Sequence, residues 1–68
     1  MKNSIRELRT ERGWSQAELA TRVRVSRNSI NAVENGKFDP SLPLAFRIAQ
    51  VFESSIESVF DPADIWQD

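Results

Sequence analysis

The sequence has no cysteine and no histidine, and it has only two glycines and three prolines among 68 residues. Without cysteine or histidine, it can form no disulfide staple or zinc finger and can perform no thiol or imidazole chemistry. No apolar run approaches the roughly 18 residues that a membrane-spanning helix needs, and residues 1–4 lack the apolar stretch of a signal peptide. We therefore expect a soluble cytoplasmic protein with a single small domain, stabilised by packing alone.

The charges are distributed unevenly along the chain, although the net charge is only −1. Residues 1–37 hold eight basic and four acidic residues, whereas residues 38–68 hold one basic and six acidic residues. This polarity indicates a basic face for an anionic partner and an acidic end that stays away from it. Ordinary solvated helix faces would give the same counts, so the choice depends on the motifs.

Signals for helix starts and stops divide the chain into five short segments. A capping box begins the second segment at Ser15 and ends at Glu18. Candidate caps of the other four segments are serines or an asparagine: Asn3 or Ser4, Ser26, Ser41, and Ser54 or Ser55. Gly13 and Gly36 follow the first and third segments, where a left-handed residue usually ends a helix.

The predicted fold class is all-α, with five short helices around one core. Apolar residues recur at helical spacing in each segment, and no stretch alternates with period two, so strands are not expected. Small helical domains need bulky core residues, so we expect the aromatic side chains to be buried rather than stacked on nucleic acid. These residues are Trp14, Phe38, Phe46, Phe52 and Phe60.

The second and third helices carry the clearest functional signal. Only about three residues separate them, which predicts a steep crossing, and Ala20 is small enough for the close approach that this crossing needs. The third helix then exposes guanidinium and amide side chains, whose donors and acceptors match base edges in the major groove.

These segments resemble the Cro/repressor-type (XRE) helix-turn-helix family over residues 3–60. The resemblance rests on residues 15–20 (SQAELA), on Val25-Ser26 leading to Ile30, on residues 33–37 (VENGK), and on residues 39–42 (DPSL). The order and spacing of all these elements agree with the compact five-helix form of that family.

The resemblance implies that the third helix lies in the major groove and that the second crosses the DNA backbone. Gln16 would donate to a phosphate, Arg27 is the candidate for reading a guanine, and Ala32 would meet a thymine methyl group. Asn35 and Lys37 match positions that hold the backbone. The full set of expected DNA contacts is Gln16, Ser26, Arg27, Asn28, Asn31, Ala32, Asn35 and Lys37.

Two further positions match a structural feature of the family, and two depart from it. Arg9 and Glu34 match a partly buried ion pair that would orient the third helix. Arg24 and Glu53 stand where the family usually has glycine. A left-handed Arg24 would cost on the order of 1 kcal/mol, so either the turn differs or Arg24 accepts strain in return for a phosphate contact.

The predicted organisation is a helix-turn-helix domain over residues 1–61, with the motif itself at 16–35, followed by a short acidic tail at 62–68. We expect a homodimer, because one such domain buries only roughly 600–1,000 Å² on DNA. The candidate dimer residues are Ile56, Phe60, Ile65 and Trp66. For Ile65 and Trp66, folding back onto the domain is an equally good expectation.

Nothing in the chain predicts catalysis, a metal or a cofactor. Paired carboxylates in a pocket would be needed, and 68 residues scarcely enclose one; there is also no glycine-rich phosphate loop. The prediction is a sequence-specific transcriptional regulator that binds double-stranded DNA and acts as a repressor. The alternative is a protein-interaction module of the same fold, an antitoxin or an adaptor, with a basic protein partner at the acidic C-terminal half.

Overall fold

The computed structural model describes residues 1–66, apart from the side chains of Asp64 and Trp66. It contains five helices, which confirms the all-α prediction: α1 (Ile5–Glu11), α2 (Gln16–Val23), α3 (Arg27–Glu34), α4 (Leu42–Val51) and α5 (Ile56–Val59). Two short strands, β1 (Lys2–Asn3) and β2 (Phe60–Asp61), and a 3₁₀ helix at Pro62–Trp66 complete the described chain. None of the described helices is long and apolar enough to cross a membrane.

Serine side chains begin four of the helices. The hydroxyls of Ser15, Ser26, Ser41 and Ser55 each accept a hydrogen bond from the backbone N–H three residues later, over 3.0–3.3 Å. At α1 the acceptor is the side chain of Asn3, whose Oδ1 accepts a hydrogen bond from the Ile5 N–H over 3.2 Å. These bonds satisfy backbone donors that have no partner inside a helix.

Four helices end in the same pair of backbone hydrogen bonds around a left-handed residue. After α2, for example, the Val25 N–H donates to the Ala20 carbonyl and the Arg24 N–H donates to the Thr21 carbonyl. This is the Schellman arrangement, and it normally uses glycine. The left-handed residues are Gly13 (φ 70°), Arg24 (φ 64°), Gly36 (φ 75°) and Glu53 (φ 54°).

The expectation that the chain has no strands is wrong at its two ends. Strands β1 and β2 form an antiparallel pair in which Lys2 faces Asp61 and Asn3 faces Phe60. Next to them, the Ser4 N–H donates to the Val59 carbonyl over 2.8 Å. Two residues are too few to show an alternating pattern, so the sequence carried no signal for this pairing. The last helix, α5, ends at Val59, immediately before β2.

One core lies between the helices, and three of the five aromatic side chains that were expected to be buried pack in it or against it. Phe52 is 1% exposed and Phe60 4%, while Trp14 packs against the core from its edge. The predicted burial of Phe38 and Phe46 is wrong, because these side chains are 53% and 50% exposed. Phe38 lies in the turn before α4, and Phe46 lies on the face of α4 opposite its buried residues.

Candidate nucleic-acid interface

The α2–turn–α3 unit places the outer face of α3 on the surface. Ala20 on α2 is 3% exposed, and the turn bends sharply because Arg24 adopts a left-handed conformation. Ile30 and Val33 anchor the inner face of α3 in the core with exposures of 0% and 1%. The arrangement is the one expected for a helix-turn-helix motif.

A buried ion pair fixes α3 against α1. The Arg9 guanidinium forms a bidentate ion pair with the Glu34 carboxylate. Its Nε donates to Oε2 over 3.0 Å, and its NH2 donates to Oε1 over 2.9 Å. The Glu34 side chain is only 2% exposed and that of Arg9 is 15% exposed. Arg9 also donates to the Trp14 carbonyl over 2.9 Å, so one side chain connects α1, the loop after it and α3.

Burial and hydrogen bonding act in opposite directions on the Glu34 carboxyl. Burial raises its pKa, and hydrogen bonds from Arg9, Arg6 and Gln16 lower it; the net pKa lies below the ordinary value of 4.5. The carboxylate is therefore ionised at neutral pH and can only accept hydrogen bonds.

The sequence did not indicate the second cation that contacts this carboxylate. The Arg6 Nε lies 3.3 Å from Glu34 Oε1, although the Arg6 side chain is 67% exposed. Arg6 and Arg9 are three residues apart on α1, and residues at that spacing share a helix face. That spacing is the signal that would have identified Arg6.

Three side-chain amides continue outward from Glu34 along α2 and α3. Gln16 Nε2 donates to Glu34 Oε1, and Asn31 Nδ2 donates to Gln16 Oε1. Asn35 Nδ2 in turn donates to Asn31 Oδ1. Each of these three bonds is 3.3 Å long. Three of the predicted DNA contacts, Gln16, Asn31 and Asn35, are thus linked in one row.

Three cations lie at the ends of α3, and none of them is paired with another group in the described part of the chain. Arg24 lies in the turn before α3, Arg27 is its first residue and Lys37 follows its end. Among residues 1–66, the side chains of these three and of Asn28 form no hydrogen bond or ion pair. The other arginines all contact protein groups: Arg6, Arg9, Arg12, Arg22 and Arg47. The cations around α3 are therefore available to an anion.

The two remaining predicted contacts are less available. The Ser26 hydroxyl accepts from the Ser29 N–H and lies 3.0 Å from the Ser29 hydroxyl, so the helix cap already uses it. Ala32 is half-buried on α3. Ser26 lies immediately before α3, and Ala32 lies within it.

The predicted dimer residues that the structure describes differ in their exposure. Phe60 is 4% exposed and belongs to the core, so its assignment to a dimer contact is wrong. Ile56 instead lines an open groove of about 440 Å³ together with Phe46, Ala49 and Glu57. Ile65 is 56% exposed, and the side chain of Trp66 lies outside the described residues.

Comparison with known proteins agrees with this geometry. A family model described as Helix-turn-helix matches residues 5–59. An uncharacterized HTH-type transcriptional regulator of Archaeoglobus fulgidus is 46% identical over 68 residues, which are 97% of each chain. The crystal structure of the restriction-modification controller protein C.AhdI from Aeromonas hydrophila has a TM-score of 0.75 and 32% identity, covering 82% of this chain and 85% of that one.

A more distant relative is named as an antitoxin rather than as a transcriptional regulator. The antitoxin HipB of Escherichia coli is 33% identical over 54 residues, which are 79% of this chain and 57% of that protein. The match thus covers little more than half of HipB.

Proposed function

Because the chain belongs to the helix-turn-helix family of transcriptional regulators, in its Cro/repressor (XRE) form, we propose that it is a repressor that binds an inverted-repeat operator as a homodimer. The family is a DNA-binding class without enzymatic activity. In this proposal α3 of each protomer enters the major groove of one half-site, and the two half-sites lie about 34 Å apart.

The observation that carries the proposal is the set of unpaired groups around α3. Arg24, Arg27 and Lys37 have no ion pair among the described residues, so contact with phosphate or guanine breaks no existing interaction. Asn28 and Asn31 add amides on the exposed side of the same helix. The acidic residues are concentrated beyond residue 37, away from this face in the sequence.

The homodimer is supported by the apolar groove beside α5. Phe46 is half-exposed, and together with Ile56 it forms an apolar surface on the part of the molecule formed by α4 and α5. Burying this surface in a second copy would remove it from water and add a second set of DNA contacts. This replaces Phe60 with Phe46 in the proposed dimer contact and keeps Ile56.

Binding-site selection from a random pool of duplexes tests the function directly. We expect an enriched inverted repeat, bound well above scrambled DNA. Four to six phosphate contacts per dimer give a slope of log K against log salt of about −3.6 to −5.4. Absence of enrichment, with only weak salt-sensitive binding, would contradict the proposal.

The second candidate is a protein-interaction module, which the match to the antitoxin HipB favours. In that role the acidic half of the chain would receive a basic partner. The two functions differ in their dependence on α3. Loss of Arg27 and Asn28 would weaken base reading, whereas binding of a protein at the acidic half would tolerate it.

A further inference from the structure

The row of amides from Glu34 to Asn35 has a direction. Gln16 donates to Glu34, Asn31 donates to Gln16, and Asn35 donates to Asn31, so every amide turns its nitrogen toward the buried carboxylate. Each amide carries one donor end and one acceptor end, and either end fits the available space equally well. A group that can only accept, at one end of the row, is therefore enough to select one of the two directions.

Glu34 is such a group. Its carboxylate has no proton to donate, so the Gln16 amide must direct Nε2 toward it. The Oε1 atom of Gln16 is then the end that faces α3, and Asn31 must meet it with Nδ2. The carboxylate is held by two hydrogen bonds from Arg9 and by a third from Arg6.

We propose that Glu34, acting through Gln16, fixes the orientation of the Asn31 side-chain amide, so that Asn31 reads one orientation of an A·T base pair and rejects the other. Asn31 lies on the exposed side of α3, and this inference rests on the proposed binding of operator DNA. Glu34 is a positioning residue, since it is buried and contacts no base.

The chemistry of adenine gives this orientation a consequence. In the major groove, adenine presents an acceptor at N7 beside a donor at N6, which an asparagine amide can meet with two hydrogen bonds. Asn31 retains one hydrogen on Nδ2 and one lone pair on Oδ1 for this purpose, after its bonds to Gln16 and Asn35. Reversal of the amide would exchange donor and acceptor and would suit the base pair in the opposite orientation.

Site selection followed by titration of single-base variants tests the proposal. For the unaltered protein we expect one half-site position at which A·T is preferred to T·A by a factor of about 5–150. Glu34→Leu removes the carboxylate that selects the direction of the row, so the Gln16 amide can point either way; Glu34→Gln would not serve, because Arg6 and Arg9 would keep its carbonyl oxygen toward Gln16. We expect Glu34→Leu to reduce that preference to less than about threefold, and Asn31→Ala to abolish it.

Arg9→Met is the matched control. It removes the same ion pair but leaves an acceptor-only carboxylate at position 34, still held by Arg6. It should reduce affinity for all sequences alike and should retain the base preference. Gln16→Met removes the middle of the row while leaving the Arg9–Glu34 pair intact, so it tests the proposal even if Glu34→Leu fails to fold. In the free protein, Gln16→Met should also shift the side-chain NH₂ resonances of Asn31, which Arg9→Met should leave in place.

Each alternative outcome is distinguishable. If Glu34→Leu and Gln16→Met keep the preference, or if Arg9→Met relaxes it equally, the row does not set the orientation and the inference is overturned. If Asn31→Ala changes no base preference, Asn31 does not read a base and the inference is overturned. If the unaltered protein selects no sequence at all, the proposed function fails and this inference fails with it.

Discussion

At the scale of single residues, Arg24 and Glu53 occupy left-handed positions that glycine fills at the ends of α1 and α3. A side chain costs about 1–2 kcal/mol in this conformation, and part of that cost is offset because glycine makes the unfolded chain more flexible. We expect Arg24→Gly to stabilise the fold by about 0.5–1 kcal/mol and to raise the melting temperature by roughly 2–8 °C. An unchanged or lower melting temperature would contradict this account.

Glu53→Gly is the control that separates strain from function. It relieves the same kind of strain at the end of α4, so it should raise the melting temperature similarly and leave DNA affinity unchanged. Arg24→Gly also removes an unpaired cation next to α3 and should weaken DNA binding. Equal DNA affinity for both variants would show that Arg24 has no phosphate contact.

The buried carboxyl of Glu34 predicts a pH dependence of stability. Its pKa in the folded protein lies below the ordinary value of 4.5, so the unfolded chain takes up the proton more readily. The contribution of the pair is complete above about pH 4.5 and is lost as the pH falls through the folded pKa. Glu34→Gln should therefore destabilise by about 1.5–3 kcal/mol at pH 7 and by clearly less at pH 3. Chemical unfolding at the two pH values checks this, and an equal difference at both would contradict it.

At the scale of secondary-structure elements, α3 combines two kinds of expected contact. Arg27 begins the helix and can reach a base edge, whereas Lys37 follows the helix beside its end. We expect Arg27→Ala to cost about 1–3 kcal/mol on the selected site and to relax preference at one base pair. Lys37→Ala should weaken binding to all sequences nearly equally and reduce the salt slope by about 1 per protomer. Unchanged specificity in Arg27→Ala would show that the assignment of Arg27 is wrong.

At the same scale, the sequence predicts local features better than it predicts contacts between distant segments. Caps such as Ser15, Ser26 and Ser41 are local signals, because each side chain bonds to its own helix, and the helix starts could be predicted from them. The pairing of β1 with β2 joins opposite ends of the chain and involves two residues per strand, so no local pattern marks it.

The candidate site could be predicted only in the features that depend on local sequence. The exposed face of α3 follows from helical spacing, but the row of hydrogen bonds through Gln16 depends on how α2 lies against α3. The residue type alone did not predict which aromatic side chains are buried. Phe46 has the residue type of a core position, and only the packing of α4 reveals that it is half-exposed.

At the scale of the whole molecule, the unpaired cations and the exposed apolar groove belong to different helices. The unpaired cations lie around α3, whereas the exposed apolar groove lies between α4 and α5. Most of the acidic residues follow residue 37. A dimer formed through the groove would leave α3 of both copies free, which two half-sites on one DNA duplex require.

This arrangement predicts that Phe46→Glu separates dimer formation from base recognition. A half-exposed phenylalanine returns on the order of 2 kcal/mol per copy when it is buried, so the dimer dissociation constant should rise at least about a hundredfold. Sedimentation equilibrium should show monomers, and affinity for the full inverted repeat should fall while affinity for a single half-site stays the same. Phe38→Glu is the matched control, because Phe38 is equally exposed but does not line the groove. A dimer that survives Phe46→Glu, or that dissociates equally in Phe38→Glu, would exclude this groove as the interface.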